Sequence, residues 1–342
     1  MRLLVLGGTR HVGRAVVEAA IGRGDEVTTL NRGRTRAPAP DVRALTADRT
    51  DPRALRAALA GGEWDAVVDT WSQAPRVVRD ACRLLDGRVG HYTYVSSRSV
   101  YRSPVPPGVA EDYPAVDADP DAEDSEDYAA TKRGGELAAA QTFGPAALLA
   151  RPGLILGPYE LVGRMPWWFG RIERGGRILA PGPADQPLQY IDCRDLALWL
   201  LSAAQRGLGG GYNTVSRPGH TTMGELLETA VEISGAEADL VWATPAQIAQ
   251  AQISPWTELP IWLPPDGELI GLHHGDVSAA YAQGLTCRPI RETLADTRAW
   301  LKAEGYPQAR PGQPPLGVDP AKEQKLLDTL GDPGGSGGPG GR

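Results

Sequence analysis

Leu3-Leu4-Val5-Leu6-Gly7-Gly8-Thr9-Arg10-His11-Val12-Gly13 is the stretch that decides the fold. A short apolar run ends in a glycine pair, and a further glycine stands just inside a segment with helical periodicity, from about Val12 to Arg23. Strand, glycine turn and helix in this order build the corner in which a dinucleotide phosphate is gripped. Gly7 permits the tight turn, Gly13 lets helix and strand pack closely, and the helix N-terminus offers backbone N–H groups with a partial positive charge. Gly7, Thr9, Arg10, His11, Val12 and Gly13 are therefore candidate cofactor contacts. Arg10 stands where the usual three-glycine pattern has its middle glycine, and its guanidinium is able to donate to a phosphate directly.

Moving outward, apolar runs and helical patterns alternate: Glu26 to Leu30, a helix around Pro52 to Ala60, Ala66 to Asp69, a helix around Pro75 to Leu85, and His91 to Ser96. This predicts an α/β fold with a doubly wound parallel sheet of the Rossmann type. A proline-rich connection runs from Tyr101 to about Asp124, helical character returns from Ser125 to Gln141, and Ala147 to Leu156 reads as a buried strand. Residues 1–160 are expected to form the dinucleotide-binding domain, with elements near 186–216 returning to it. A smaller C-terminal substrate-binding lobe is expected over 161–185 and 217–305, where Trp, Pro and Gly are frequent. Residues 306–342 read as an extended tail, disordered at least from 333, because Pro333 to Arg342 is nearly all Gly, Pro and Ser.

The formal charge of −7 over 342 residues gives no basic field for a polyphosphate backbone, so nucleic acid is not an expected partner. No apolar stretch reaches bilayer-spanning length, and the opening run is too short for a signal core, so no membrane association is expected. Cys82, Cys193 and Cys287 are odd in number and lack metal-type spacing, which suits a reducing, cytoplasmic location with no metal. The seven acids between Asp117 and Asp127 read as a solvated loop, being proline-interrupted and without the glycine of a calcium loop.

Past the glycine corner, where an NAD-binding fold places a ribose-binding carboxylate, the chain reads Leu30-Asn31-Arg32-Gly33-Arg34. With no acid there and arginine beside it, NADP(H) is favoured over NAD(H), with Asn31 and Arg32 as contacts. The competing reading makes Arg32 and Arg34 solvated charges and the cofactor NAD. Asp48-Arg49 follows the predicted strand Val42 to Thr46 and is placed to reach an adenine ring; a capping role for Asp48 or Asp51 fits equally.

Tyr128-Ala129-Ala130-Thr131-Lys132 puts Tyr and Lys at i and i+4, on one face of a predicted helix. Oxidising a carbinol needs a base for the hydroxyl proton while hydride departs, and free tyrosine, with a pKa of ~10, is a poor one. A neighbouring ammonium and an oxidised nicotinamide favour the phenolate. A serine hydroxyl holds the substrate oxygen. Val95-Ser96-Ser97-Arg98-Ser99-Val100-Tyr101 supplies one at the end of a predicted strand.

These features resemble the extended short-chain dehydrogenase/reductase family, also called the NAD-dependent epimerase/dehydratase family, over about residues 1 to 305. Its most specific parts here are the glycine loop, Ser-Ser-x-x-Val-Tyr and Tyr-x-x-x-Lys; Arg151 to Pro158 and Tyr190 to Asp195 are weaker echoes. The resemblance implies that Ser97, Tyr128 and Lys132 are catalytic, and that Tyr128 and Lys132 also touch the cofactor. Arginine within the glycine loop is similar to an atypical branch that includes chloroplast proteins associated with RNA. Val68-Asp69-Thr70-Trp71 stands where the family more often has an Ala-rich cofactor turn, with Thr70 as the candidate contact.

Family dehydratases follow the catalytic hydroxyl with an Asp-Glu pair; here Arg98 and Ser99 follow, which argues against dehydration. The expected activity is an NAD(P)-dependent oxidoreductase at a carbinol or ketone carbon, preferably a redox-neutral epimerase on a nucleotide-sugar or nucleoside-like small molecule. Alternatives are an NADPH-dependent ketone reductase or alcohol dehydrogenase and, from another class, a non-catalytic NADP-binding regulatory or RNA-associated protein. Ser99, Arg164, Trp168 and Gln189 are candidate substrate contacts, foremost in a group with Trp167, Trp256, Trp262, His273 and His274, most of which read better as core or surface residues. Gly134 and Gly135 weaken the Tyr128 helix unless close packing compensates. Family members often dimerise through this helix, so the resemblance implies a homodimer.

Overall fold

The computed structural model describes residues 1–33, 40–124, 126–307 and 316–331. Arg34, Ser125 and the stretch from 333 expected to be disordered lie outside the described residues. In chain order the strands and helices are β1 (Arg2–Leu6), α1 (His11–Gly22), β2 (Glu26–Asn31), β3 (Arg43–Thr46), α2 (Pro52–Leu59), β4 (Trp64–Asp69), α3 (Pro75–Leu85), β5 (Val89–Val95), α4 (Tyr128–Phe143), β6 (Ala147–Pro152) and β7 (Leu154–Leu156). They continue with α5 (Arg164–Glu173), β8 (Gly176–Pro181), β9 (Pro187–Leu188), β10 (Tyr190–Asp192), α6 (Cys193–Gln205), β11 (Gly210–Thr214), β12 (Thr221–Thr222) and α7 (Met223–Ser234). The last are β13 (Ala238–Ala243), α8 (Pro245–Gln250), α9 (Ser278–Ala282), α10 (Ile290–Glu304) and α11 (Pro320–Thr329).

Two compact units result. The first comprises Met1–Leu161, Gln189–His220 and Glu268–Pro289. Its seven-stranded sheet runs β11-β6-β5-β4-β1-β2-β3, parallel throughout. The chain adds β2 and β3 on one side of β1, then returns to lay β4 on the other, so the order reverses beside Leu6 and Asp69. Ligands of open α/β sheets bind at the carboxyl ends of strands at such a reversal. Successive β1 side chains enter opposite layers: Leu3 and Val5 pack with α1 and α6, Leu4 and Leu6 with residues of α2, α3 and α4. A strand covered on both faces must be apolar throughout, which is why Leu3-Leu4-Val5-Leu6 shows no alternation.

Helix starts follow their capping residues. The carboxylates of Asp51, Asp127 and Asp192 accept backbone N–H groups at the beginnings of α2, α4 and α6. Helix α1 begins differently, after Arg10, with no side-chain cap and no acidic residue in its first turn.

The second unit comprises Val162–Leu188, Thr221–Gly267 and Ile290–Arg342. Parallel β8 and β13 form its small sheet, and β9 pairs antiparallel with β12. Several expected boundaries move. Residues 217–220 belong to the first unit and not to the expected substrate lobe. Residues 268–289, expected in the substrate lobe, belong to the first unit: Asn213 Nδ2 donates to Asp276 O at 2.9 Å and Trp199 Nε1 to Gln283 O at 3.1 Å. Residues 186–188, expected to return to the main sheet, belong to the second unit, where Gln186 Nε2 donates to Leu263 O at 2.7 Å. The expected extended tail contains α11, capped by Asp319. Its buried Glu323 accepts from Arg171 Nε at 2.8 Å and from Leu179 N at 3.1 Å, tying the helix to α5 and β8.

Candidate functional site

The glycine corner is built so that backbone meets backbone. Gly7 holds φ +107°, and a Cβ there would lie 2.5 Å from Thr70 Oγ1. A Cβ on Gly8 would lie 2.8 Å from Thr29 Cγ2, and one on Gly13 only 1.9 Å from the Gly7 carbonyl oxygen. Thr70 pins the turn from β4 by donating to Leu6 O at 3.1 Å. With side chains excluded and α1 starting without an acid, the corner fits a dinucleotide phosphate. Thr9, Arg10, His11 and Val12 form this turn and the start of α1, with His11 at φ 36°. Asn31 closes β2 half-buried and Arg32 is exposed. Asp48 accepts from Thr50 N and Oγ1 at 3.0 and 2.8 Å, leaving the α2 cap to Asp51.

Arg49 does not reach outward from the strand end, as the sequence led us to expect. It turns into the fold and grips Asp69 with both terminal nitrogens at 2.7 Å. Tyr92 Oη and Trp71 N also donate to that carboxylate, at 2.7 and 2.9 Å. Burial alone would raise the Asp69 carboxyl; the Arg49 charge and these hydrogen bonds outweigh it and hold the group below its ordinary range.

Tyr128 is the first residue of α4, directly after the Asp127 cap, and is 50% exposed. Lys132, one turn on, is 3% exposed. Its Nζ donates to Trp71 O and Val95 O, each at 2.7 Å, and lies 3.4 Å from Tyr94 Oη. Burial pushes this lysine down to about 7, against the pull of Asp69 and Glu136. Ser97 lies two residues past the end of β5 and caps the 3-10 turn that follows; its Oγ accepts from Ser99 N and donates to Ser99 Oγ, both at 3.1 Å. Ser97 is half-buried whereas Ser96 is buried, and α4 packs against the 3-10 turn Arg98–Val100 that follows. The corner, Ser97 and the Tyr128 helix thus all belong to the first unit.

Asp127 Oδ1 holds Ala129 N and Ala130 N at 2.7 and 3.2 Å, fixing the turn that carries Tyr128. Asp127→Ala is expected to cost about 1 kcal/mol and, by fraying that turn, to lower kcat more than it raises KM; paired chemical denaturation and steady-state kinetics check this.

Two of the expected substrate contacts prove structural. Gln189 is fully buried with its amide saturated: Oε1 accepts from Arg98 Nη1 (2.9 Å) and Gly275 N (2.7 Å), while Nε2 donates to Ser216 O (2.7 Å) and Gly275 O (3.0 Å). Trp168 is core of the second unit, its indole N–H bonded to Pro260 O at 2.9 Å. Trp262 is likewise core, and His273 is buried, accepting from Gln189 N. Arg164 opens α5 in the second unit, with its guanidinium 5.0 Å from the Trp256 ring centre. Ser99 remains at the site through Ser97.

Gly134 and Gly135 are explained within the chain. A Cβ on Gly134 would lie 2.7 Å from Pro75 and one on Gly135 2.5 Å from the Tyr94 ring, so α4 lies tight on α3 and β5. Among the described residues there is no group of three or more His, Cys, Asp or Glu placed to hold a metal, and no helix long and apolar enough to cross a membrane.

Reading by residue type missed Asp69, Trp71, Tyr94 and Glu136 around Lys132. The one signal for them was the Val68-Asp69-Thr70-Trp71 turn, whose main-chain carbonyl carries the contact.

A seven-stranded parallel sheet with a glycine cradle at its reversal defines a Rossmann-like α/β protein. The chain belongs to the NAD dependent epimerase/dehydratase family, whose model matches residues 3–214. It is 31% identical over 225 residues to a 2-alkyl-3-oxoalkanoate reductase of Stenotrophomonas maltophilia, covering 58% of this chain and 64% of the relative. It is 26% identical over 219 residues to the chloroplast stem-loop binding protein of 41 kDa b of Arabidopsis thaliana, covering 59% and 54%. The chain thus spans less than two thirds of the length of either curated relative. Similar solved structures include the Bordetella bronchiseptica enzyme WbmG in complex with NAD and UDP (TM-score 0.65, 17% identity, 90% of this chain and 96% of that one). Another is the Thermus thermophilus UDP-glucose 4-epimerase complex with NAD (TM-score 0.63, 19% identity, 89% and 100%).

Proposed function

We propose that this chain is an NAD(P)-dependent oxidoreductase acting at a carbinol or ketone carbon, and specifically a redox-neutral epimerase of a nucleotide-sugar or nucleoside-like substrate. The observation that carries the reading is the Lys132 ammonium, buried beside the end of β5 that leads into Ser97 and one helical turn from Tyr128. When bound, the cofactor would supply the hydride chemistry at its nicotinamide. Gly7, Gly8 and Gly13 with the start of α1 would hold its phosphates, and Thr70 pins their turn. The Tyr128 phenol moves the proton on and off the substrate oxygen, Lys132 favours its ionised form, and the Ser97 hydroxyl holds that oxygen. Arg98 supports the exclusion of dehydration. Its side chain is buried and bonded to Gln189 Oε1, Leu272 O and Gly271 O, so it is turned into the fold and does not supply the carboxyl that dehydration uses at this place.

Net ketone reduction is the second reading, favoured by the reductase relative at 31% identity. A screen with deuterium-labelled cofactor separates the two: retention of the substrate's own hydrogen with inverted configuration supports epimerisation, and label in the product replaces it with reduction. Stem-loop binding is named for the chloroplast relative; the charge of −7 speaks against carrying such a nucleic-acid role over.

NADP(H) is proposed over NAD(H) because Asn31 and Arg32 stand where a carboxylate would receive the ribose hydroxyl. Calorimetric titration is expected to give tighter binding of NADP+; a preference for NAD+, the cofactor in the two solved relatives, would reverse the assignment. A homodimer through α4 is also proposed. The helix leaves only Tyr128, Ala140 and Gln141 exposed, so the contact would include residues around Asp119, whose carbonyl lies against Gly134.

A further inference from the structure

Lys132 directs every hydrogen bond to a neutral oxygen, Trp71 O, Val95 O or Tyr94 Oη. A buried ammonium so placed loses its proton easily, because carbonyls solvate it less well than water and bring no opposite charge. Two carboxylates work against that loss, Asp69 at the end of β4 and Glu136 one turn along α4. Glu136 is taken up by Arg151 at 2.8 and 3.0 Å and by Arg133 at 2.8 Å. The other titratable group facing the lysine is Tyr94 on β5, whose ring centre lies 4.8 Å from Lys132 Nζ.

Asp69 differs from Glu136 in having a second route to the lysine. Its Oδ1 accepts Trp71 N–H at 2.9 Å, and the carbonyl of the same Trp71 accepts from Lys132 at 2.7 Å and from Tyr94 Oη at 3.1 Å. Arg49 and Tyr92 complete the carboxylate's coordination, so the Trp71 backbone is held by a fixed group. This arrangement lies in the turn where the sequence departs from the family's Ala-rich pattern.

We propose that Asp69 is a positioning residue for Lys132: it fixes the ammonium's seat through the Trp71 backbone, and its negative charge favours the ammonium form. The proposal rests on the assignment of Lys132 to the hydride-transfer set. The direction of the effect follows from the charges. A negative neighbour favours the protonated lysine, so Asp69→Asn lowers the midpoint at which the proton is lost. Starting from a midpoint of about 7, a fall of about one unit takes the charged fraction at pH 7 from about one half to about one tenth.

The chain has four lysines, Lys132, Lys302, Lys322 and Lys325, so the side-chain carbons of lysine-labelled protein are resolvable by NMR. The full chain without cofactor is titrated, with Lys132→Arg assigning the resonance. Asp69→Asn is expected to shift the Lys132 midpoint down by about one pH unit. Because that variant leaves Arg49 buried without its carboxylate, Arg49→Gln with Asp69→Asn removes the pair together and is expected to shift it the same way by less. An unchanged midpoint in the double variant, or in a folded Asp69→Asn protein, overturns the proposal. With substrate in hand, the alkaline limb of kcat/KM should move in parallel. The NMR midpoint needs no turnover, so it stands or falls apart from the assigned reaction.

Discussion

Tyr128→Phe is expected to lower turnover by roughly 10²–10⁴-fold while leaving cofactor affinity unchanged. The substitution removes one oxygen from a ring that is 50% exposed and keeps the Asp127 cap, the α4 turn and the Lys132 contacts. Stability should therefore change little. Only the step that moves a proton at the substrate oxygen should suffer, so kcat and kcat/KM should fall together, as for a group acting in the transition state. Steady-state kinetics beside calorimetric cofactor titration give the answer. Undiminished turnover would remove Tyr128 from the reaction, whereas loss of cofactor binding would mark it as a binding residue.

Gly13→Ala carries the other large effect. The added methyl would lie 1.9 Å from the Gly7 carbonyl oxygen and 3.3 Å from Gly8 Cα. Neither is the end of a flexible side chain, so α1 must move away from β1. Such overpacking costs about 3 kcal/mol, and the shift carries the helix N-terminus off the phosphate corner. Cofactor binding should be lost at concentrations that saturate the parent protein, with a lowered melting temperature. Normal affinity would show that the corner does not hold the dinucleotide. Together the two substitutions separate chemistry from binding.

The first unit was legible because its information is local. The apolar β1, the three glycines and the regular alternation to β5 fall within short windows. The spacing of Tyr128 and Lys132 needs only one helical turn. The second unit was not, because its sheet pairs Gly176–Pro181 with Ala238–Ala243 across a long stretch of chain, and neither strand declares its partner. The helix α11 was missed although Asp319-Pro320 is a sound start signal. The neighbouring run of Gly and Pro outweighed it, and the Glu323 to Arg171 pair that fixes it joins distant segments.

The candidate site shows the same division. Residue type singled out Ser97, Tyr128 and Lys132, but it does not tell which way a side chain turns. Trp168 and Gln189 have the composition of ligand contacts, yet their partners, Pro260, Ser216 and Gly275, lie inside the fold. Arg49 was read as a strand-end reach because its partner Asp69 sits on a different strand. The environment of Lys132 was the least accessible of all, since the groups that touch it most closely are main-chain carbonyls, which have no sequence signature.

The packing around Arg98 bears on how readily this scaffold could be redirected to another chemistry. Placing an acid at residue 98, beside the Ser97 hydroxyl, would strip donors from Gly271 O, Leu272 O and Gln189 Oε1 at once. The emptied slot is walled by Gly275, where even a methyl would fall 1.8 Å from Arg98 Nη2. A single exchange would leave a cavity with stranded acceptors, and refilling it needs concerted changes in three separate stretches of chain. The position after Ser97 is therefore insulated against stepwise change by a knot of hydrogen bonds outside the proposed catalytic set.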